Sequence, residues 1–184
     1  MSGIKYSLRQ ESTSFSIGTT NLRSSNGSLI DTNGCVALLV LSGFAVATIN
    51  FEKRILRKGD FVLLFYDSTF SMLSISAAFS VRYVSFAYHL IEEAIYKPLS
   101  INFWNTIYSN PVFRPNERDF KLLVEWWYQM EWVNNIKDYD YQEEILKNNI
   151  RNLLVATDIE IMDHAGDSLR NSRGHAWMLV NRFF

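Results

Sequence analysis

Few residues of the kind that build metal centres and covalent staples are present: one cysteine and three histidines in 184 residues. A lone Cys35 excludes an intramolecular disulfide framework and is compatible with a reducing compartment. It follows Gly34 with no histidine near it in sequence, which reads as a buried, inert thiol rather than a nucleophile. The histidines are as poorly placed for chemistry. His89 ends the last clear strand pattern, and His164 and His175 flank a polar stretch, so none falls where a small β-domain would gather ligands about 2 Å from an ion. A G-x-S-x-G elbow is missing, as is a glycine-rich phosphate loop. Charge of either sign is scarce in excess: 18 basic against 19 acidic residues leave a net −1. Without clustered cations the chain has no footprint for a phosphate backbone. The short group Lys53, Arg54, Arg57 and Lys58 reads as solvated turn residues. The start, MSGIKYSLRQ, lacks the apolar stretch of an export signal, so a cytoplasmic protein is expected. The longest apolar run, VALLVLSGFAVA at 36–47, is well short of the roughly 20 residues a membrane helix needs. Ser42-Gly43 splits it, which predicts two strands and a tight turn, with no membrane role.

What is there is apolar and aromatic. Hydrophobic residues make up 48% and aromatics 15%, enough for one domain with a proper core and an appended helical element. Residues 1–30 are rich in Ser, Thr and Asn and read as an extended, partly mobile segment with an edge strand near Ser14 to Ile17. From Cys35 to Tyr88, short apolar stretches alternate with turn signals at Ser42-Gly43, Glu52 to Arg54, Lys58-Gly59-Asp60 and Asp67-Ser68. That spacing predicts an antiparallel sandwich or barrel over 31–113. Phe61 to Tyr66 is apolar on both parities, as for a strand covered on both faces. Phe79, Val81 and Tyr83 share one face of the following strand.

After Tyr88 the period becomes helical. LIEEAIY predicts one or two turns stopped by Pro98, followed by an aromatic-rich connecting passage to Phe113. Asn116 is an N-cap with Asp119 three residues on, and Phe120, Leu123, Val124 and Trp127 form a stripe. A second start is expected at Asp140, with Glu143 completing a capping box and Ile145, Leu146, Ile150, Leu153 and Leu154 as its stripe. The short link predicts an antiparallel helical hairpin within 114–184. HAWMLVNRFF starts a further helix. Trp126, Tyr128 and Trp132 lie off the first stripe, and aromatic area beyond one core contact is expected to meet a partner. The acid pairs Glu92-Glu93, Glu143-Glu144 and Asp138/Asp140 read as helix-end and solubility residues rather than as acid–base machinery.

The stretch VLSGFAVATINFEKRILRKGDFVLLFYDSTF resembles the cupin-like sensor domain that opens many AraC-type transcription regulators. Val40 to Gly43, Phe44 to Phe51, the charged Glu52 to Arg54 hairpin and Leu56 to Asp60 carry the likeness. The resemblance implies a mainly β fold with α: a cupin-like antiparallel β-barrel or sandwich, an antiparallel helical hairpin through which family members commonly dimerise, and a terminal linker helix over 176–184. It implies a homodimer, a small-molecule effector, and DNA binding through a C-terminal helix-turn-helix part that these residues do not include. Tyr66, Phe79 and Tyr83 are the expected pocket lining, and Trp126, Tyr128, Trp132, Leu153 and Leu154 the expected dimer residues. The sequence departs from metal-binding cupins at two places. Phe70 stands near the expected histidine, and Asp31-Thr32-Asn33-Gly34-Cys35 replaces a segment that often carries more. A pocket with no metal and no cofactor is therefore expected, with no catalytic residues. The competing readings are a small cupin isomerase or dioxygenase with an unusual ligand set, and an interaction domain with a filled barrel.

Overall fold

The computed structural model describes residues 5–167. Ten strands and four α-helices follow one another along these residues. β1 (Lys5–Ser7), β3 (Leu29–Asp31), β8 (Phe70–Ile75), β5 (Phe44–Ile49) and β6 (Glu52–Arg57) form the first five-stranded sheet in that order. β10 (Val112–Phe113), β7 (Phe61–Phe65), β4 (Cys35–Ser42), β9 (Ser80–Phe86) and β2 (Phe15–Thr20) form the second. β1 and β3 pair in parallel, while the other named pairs are antiparallel. The architecture is the mainly β, sandwich-like one that the turn spacing predicts. The strands within 1–30 belong to both sheets, with β2 at an edge as the short alternation suggested.

Alternation decides what each sheet buries. Val36, Leu38 and Val40 of β4, Val62 and Leu64 of β7, and Val81 of β9 join Ala45, Ala47, Ile49, Leu56, Phe70 and Met72 of the first sheet in one buried cluster. The other parity of β7 is covered too, since Phe61, Leu63 and Phe65 are all buried. Register carries one row of inward positions across all five strands of the second sheet: Gly18, Tyr83, Leu38, Val62 and Val112 are successive partners. Burying this cluster stabilises the β-unit by about 25 cal/mol per Å² of apolar surface removed from water.

Ser42-Gly43 separates two strands as expected, but the turn does not fold them back on each other in one sheet. β4 and β5 lie in different sheets, and Gly43 carries the chain across at φ 69°. A Cβ there would stand 2.6 Å from the Phe79 amide nitrogen, so a side chain is excluded by contact as well as by conformation. An apolar run broken by Ser-Gly reads the same whether the chain turns back or changes layer.

The chain divides into two compact units, Met1–His89 with Tyr108–Arg114, and Leu90–Ile107 with Pro115–Phe184. The helices are α1 (Tyr88–Ala94), α2 (Ile101–Ser109), α3 (Glu117–Asn134) and α4 (Tyr139–Asp167). α3 starts where expected, with the Asn116 Oδ1 accepting from the Asp119 amide at 3.0 Å. α4 starts earlier than the Asp140 expected from sequence. Asp138 is the cap, its Oδ1 accepting from the Asp140 and Tyr141 amides at 3.1 and 3.3 Å. α2 occupies what reads as an aromatic connector. Its start is held by Asp158, which accepts from the Ser100 amide at 2.9 Å and from the Ser100 hydroxyl, a cap 58 residues away that no local pattern reveals. The hairpin buries Leu123, Trp126, Trp127, Met130 and Val133 of α3 with Leu146, Ile150, Leu153 and Leu154 of α4. The expected linker helix over 176–184 lies outside the described residues. Among those described, no helix is long and apolar enough to cross a membrane.

Candidate functional site

The Gly59-Asp60 corner, which carries part of the resemblance to cupin-like domains, is built from backbone bonds. Gly59 turns at φ 91°, its amide donating to the Val40 carbonyl while the Val40 amide donates to the Asp60 carbonyl, both at 2.9 Å. The Asp60 carboxylate, only 4% exposed, accepts from the Arg57 amide at 2.8 Å and from Arg114 Nε at 3.2 Å. Both oxygens are thus engaged in closing the turn. Phe70 is fully buried in the core cluster. In the second departure from the cupin pattern, the Thr32 hydroxyl donates to the Ser68 carbonyl at 2.9 Å. Cys35 is buried, and burial pushes its thiol well above the ordinary range.

The space between the sheets is the remaining candidate. Phe79 is buried in the core cluster and Tyr83 packs half-buried against it, so these two pocket candidates share one apolar environment. Tyr66 does not join them. It stands 57% exposed just after β7, edge-on to Tyr88 with ring centroids 5.0 Å apart. Tyr83 lies over Gly18, where a Cβ would sit 3.1 Å from both its ring and its hydroxyl. The hydroxyl is 3.5 Å from Ser16 Oγ. Register puts Ser16, Gly18 and Thr20 on the same inward parity as Ser85, Tyr83 and Val81. The apolar interior thus carries a polar margin along β2 and β9. Tyr6 of β1 is a second half-buried tyrosine against the same cluster. Sequence reading missed Gly18 and Tyr6. Extending the Phe15 to Ile17 alternation by two residues would have placed Gly18 opposite a bulky neighbour.

The acidic and histidine side chains singled out in the sequence are placed as follows. Glu93 and Glu143 both pair with Lys147 Nζ, Glu143 at 2.8 Å, and the hydrogen bonds to Glu143 and then Glu93 push that lysine up to about 12. Asp138 is the α4 cap. His89 is exposed in α1, and the side chains of His164 and His175 lie outside the described part. Among the described residues no three His, Cys, Asp or Glu side chains converge as a metal site. Burial raises the pKa of the Asp119 carboxyl, with Arg118 and the Asn116 bond opposing, and its Oδ2 has no hydrogen-bond partner among the described residues.

Of the expected dimer residues, Tyr128 and Trp132 present exposed rings, 55% and 61% accessible. Trp126 is buried edge-on against Trp127 at 4.9 Å between centroids, and Leu153 and Leu154 are buried within the helical unit. Leu123 and Trp127 of the expected α3 stripe are buried and Phe120 and Val124 half-buried, while the packed face extends beyond the stripe to Asp119, Trp126, Met130 and Val133.

No protein-family model matches the sequence, and no curated protein matches it. Solved structures do. Apo ToxT K231A from Vibrio cholerae aligns over 94% of this chain and 70% of its own, at 14% identity and a TM-score of 0.54. Wild-type ToxT from Vibrio cholerae with an unsaturated fatty acid bound covers 94% and 69%, at 16% identity and a TM-score of 0.47. The AraC-like transcriptional activator CuxR covers 86% and 59%, at 12% identity and a TM-score of 0.41. The first of these likenesses establishes the fold: this chain is folded like ToxT, as the resemblance to a cupin-like sensor domain implied.

Proposed function

We propose that the chain is the effector-sensing and dimerising part of an AraC-type transcription regulator, and that it works without metal and without catalysis. The observation that supports this is a polar margin on the apolar interior: the hydroxyl of half-buried Tyr83 with Ser16 Oγ beside it at the edge of the core cluster. Such a lining suits a small molecule with an apolar body and one polar end. A ligand that favours one of two arrangements of a dimer shifts the population toward it, which is how sensing would reach DNA through a helix-turn-helix segment elsewhere in such a regulator. The homodimer would use the exposed Tyr128 and Trp132 of α3, and the protein would work in the cytoplasm.

The experiment is a thermal-shift screen of the full chain against aliphatic carboxylic acids, sugars and aromatic acids. A ligand present at 100 times its Kd adds about 2.7 kcal/mol, a rise of about 5–10 °C for a chain of this size. Tyr83→Ala is expected to abolish that rise, and light scattering at tens of micromolar to give a dimer mass. A second reading, an interaction domain with a filled interior, is favoured by the many inward side chains with no exposure at all. It predicts no shift with any compound while the dimer persists.

A further inference from the structure

We propose that the outer face of the β5–β6 hairpin is a docking surface for an acidic, amphipathic α-helix of a partner protein, a role separate from the effector reading above. The first observation is conformational. Asn50 and Phe51 form the hairpin tip at φ 48° and 65°, and Phe51 is 82% exposed. The second position of such a turn favours glycine, and a bulky aromatic there is a true outlier. Residues held in this region of backbone space cluster at sites of function.

The second observation is the surface behind the tip. Ala45, Ala47 and Ile49 point inward, so Phe44 and Val46 point out, and register sets Ile55 beside Val46. Phe44 is 56%, Ile55 48% and Leu73 of the adjacent β8 46% exposed. An exposed apolar stretch of this breadth on a folded unit marks an interaction site. It spans three strands, roughly 10 Å, and six residues of strand length, roughly 20 Å. Those are the width of one α-helix and the length of about 13 helical residues.

Charge specifies the occupant. The outward side chains of β6 alternate Lys53, Ile55, Arg57, with Lys58 following, and these three cations are exposed and in no ion pair among the described residues. Glu52 is already taken by Arg54 at 2.5 Å. A line of cations along one side of an apolar strip asks for a helix with acidic residues on one flank. A lipid surface is the poorer match. Lys58 lies at the far end of β6 from Phe51, and Glu52 adjoins the tip, so the surface favours a ligand laid along the hairpin over one that the tip enters.

The test is selection of helix-forming 16-residue peptides from a display library on the full chain, with affinities then measured at 50 and 300 mM salt. Enriched peptides are expected to carry leucine, isoleucine or phenylalanine at i, i+3 or i+4 and i+7, with Asp or Glu on one flank. Their binding should weaken at least tenfold with salt, with Lys53→Glu and with Phe51→Gly. Glycine accepts the observed φ, so Phe51→Gly should unfold no earlier than the parent, which separates lost docking from lost folding. No enrichment, enrichment of basic peptides, or binding unaffected by Phe51→Gly overturns the proposal. So does Phe51-dependent binding to phosphatidylserine vesicles with no peptide selected, which would make the occupant a membrane.

Discussion

Replacing Asp60 tests whether the Gly-Asp corner is architecture. Asp60→Ala removes an acceptor that is 4% exposed and leaves the Arg57 amide without the carboxylate that now caps it at 2.8 Å. A hydrogen bond to a charged group contributes about 1.5–3 kcal/mol. Arg114, the other partner, is 66% exposed, so its pair adds less than about 1 kcal/mol. Together these give a loss of about 3 kcal/mol for Asp60→Ala, a fall in Tm of about 6–12 °C. Asp60→Asn keeps the shape and one acceptor and should lose about half of that, while Arg114→Ala should lose under about 1 kcal/mol. Thermal unfolding of the three variants by circular dichroism measures the series. If Asp60→Ala unfolded within about 0.5 kcal/mol of the parent, the corner would not depend on its carboxylate. If Arg114→Ala cost as much as Asp60→Ala, the exposed ion pair rather than the backbone bond would be the main support.

Two further outcomes follow from the same packing. Gly34 adopts φ 108°, and a Cβ there would stand 2.0 Å from the Phe86 carbonyl oxygen, whereas Gly59 at φ 91° faces open space. Gly34→Ala is expected to lose about 4 kcal/mol or more and fail to fold, and Gly59→Ala to lose about 1 kcal/mol, as read from urea unfolding midpoints. Burial raises Asp119, so the folded chain holds this proton more tightly than the unfolded chain and stability falls as pH rises through its titration. Asp119→Asn should therefore gain on the order of 1 kcal/mol at pH 7.5, with the gain vanishing as pH falls toward 4; equal gains at both pH values would refute the assignment.

Local chemistry was legible where a residue acts on its near neighbours. Asn116 and Asp119 sit three apart, so the start of α3 can be read from the sequence, and the two-sided apolarity of Phe61 to Tyr66 announces a strand covered on both faces, one residue longer than the Phe61–Phe65 observed. What escaped depends on distant partners. Asp158 caps α2 from 58 residues away. Ser42-Gly43 changes sheets because of where Phe79 lies. The choice between Asp138 and Asp140 as cap depends on two residues of helix phase. In the interior, parity placed Phe79 and Tyr83 together, but Tyr66 follows the strand rather than lying in it, and its parity carried no information. On α3 the expected stripe held for Leu123 and Trp127, but the packed face is wider than the stripe and takes Trp126 from surface to core.

β10 is only two residues long, yet it lies outside the sequence stretch that builds the rest of the β-unit. It pairs with Val62 and Phe61, and the Pro111 carbonyl takes the Leu63 amide at 3.0 Å. Without it, β7 would become an edge of five consecutive buried apolar residues, a ready template for pairing with other chains. A fragment cut after residue 89 would keep nine of the strands and lose the one that guards the sheet against its own copies. The chain's return from the helical unit to the β-unit therefore serves as protection against aggregation, and any dissection of this protein into parts has to carry residues 108–114 with the strands.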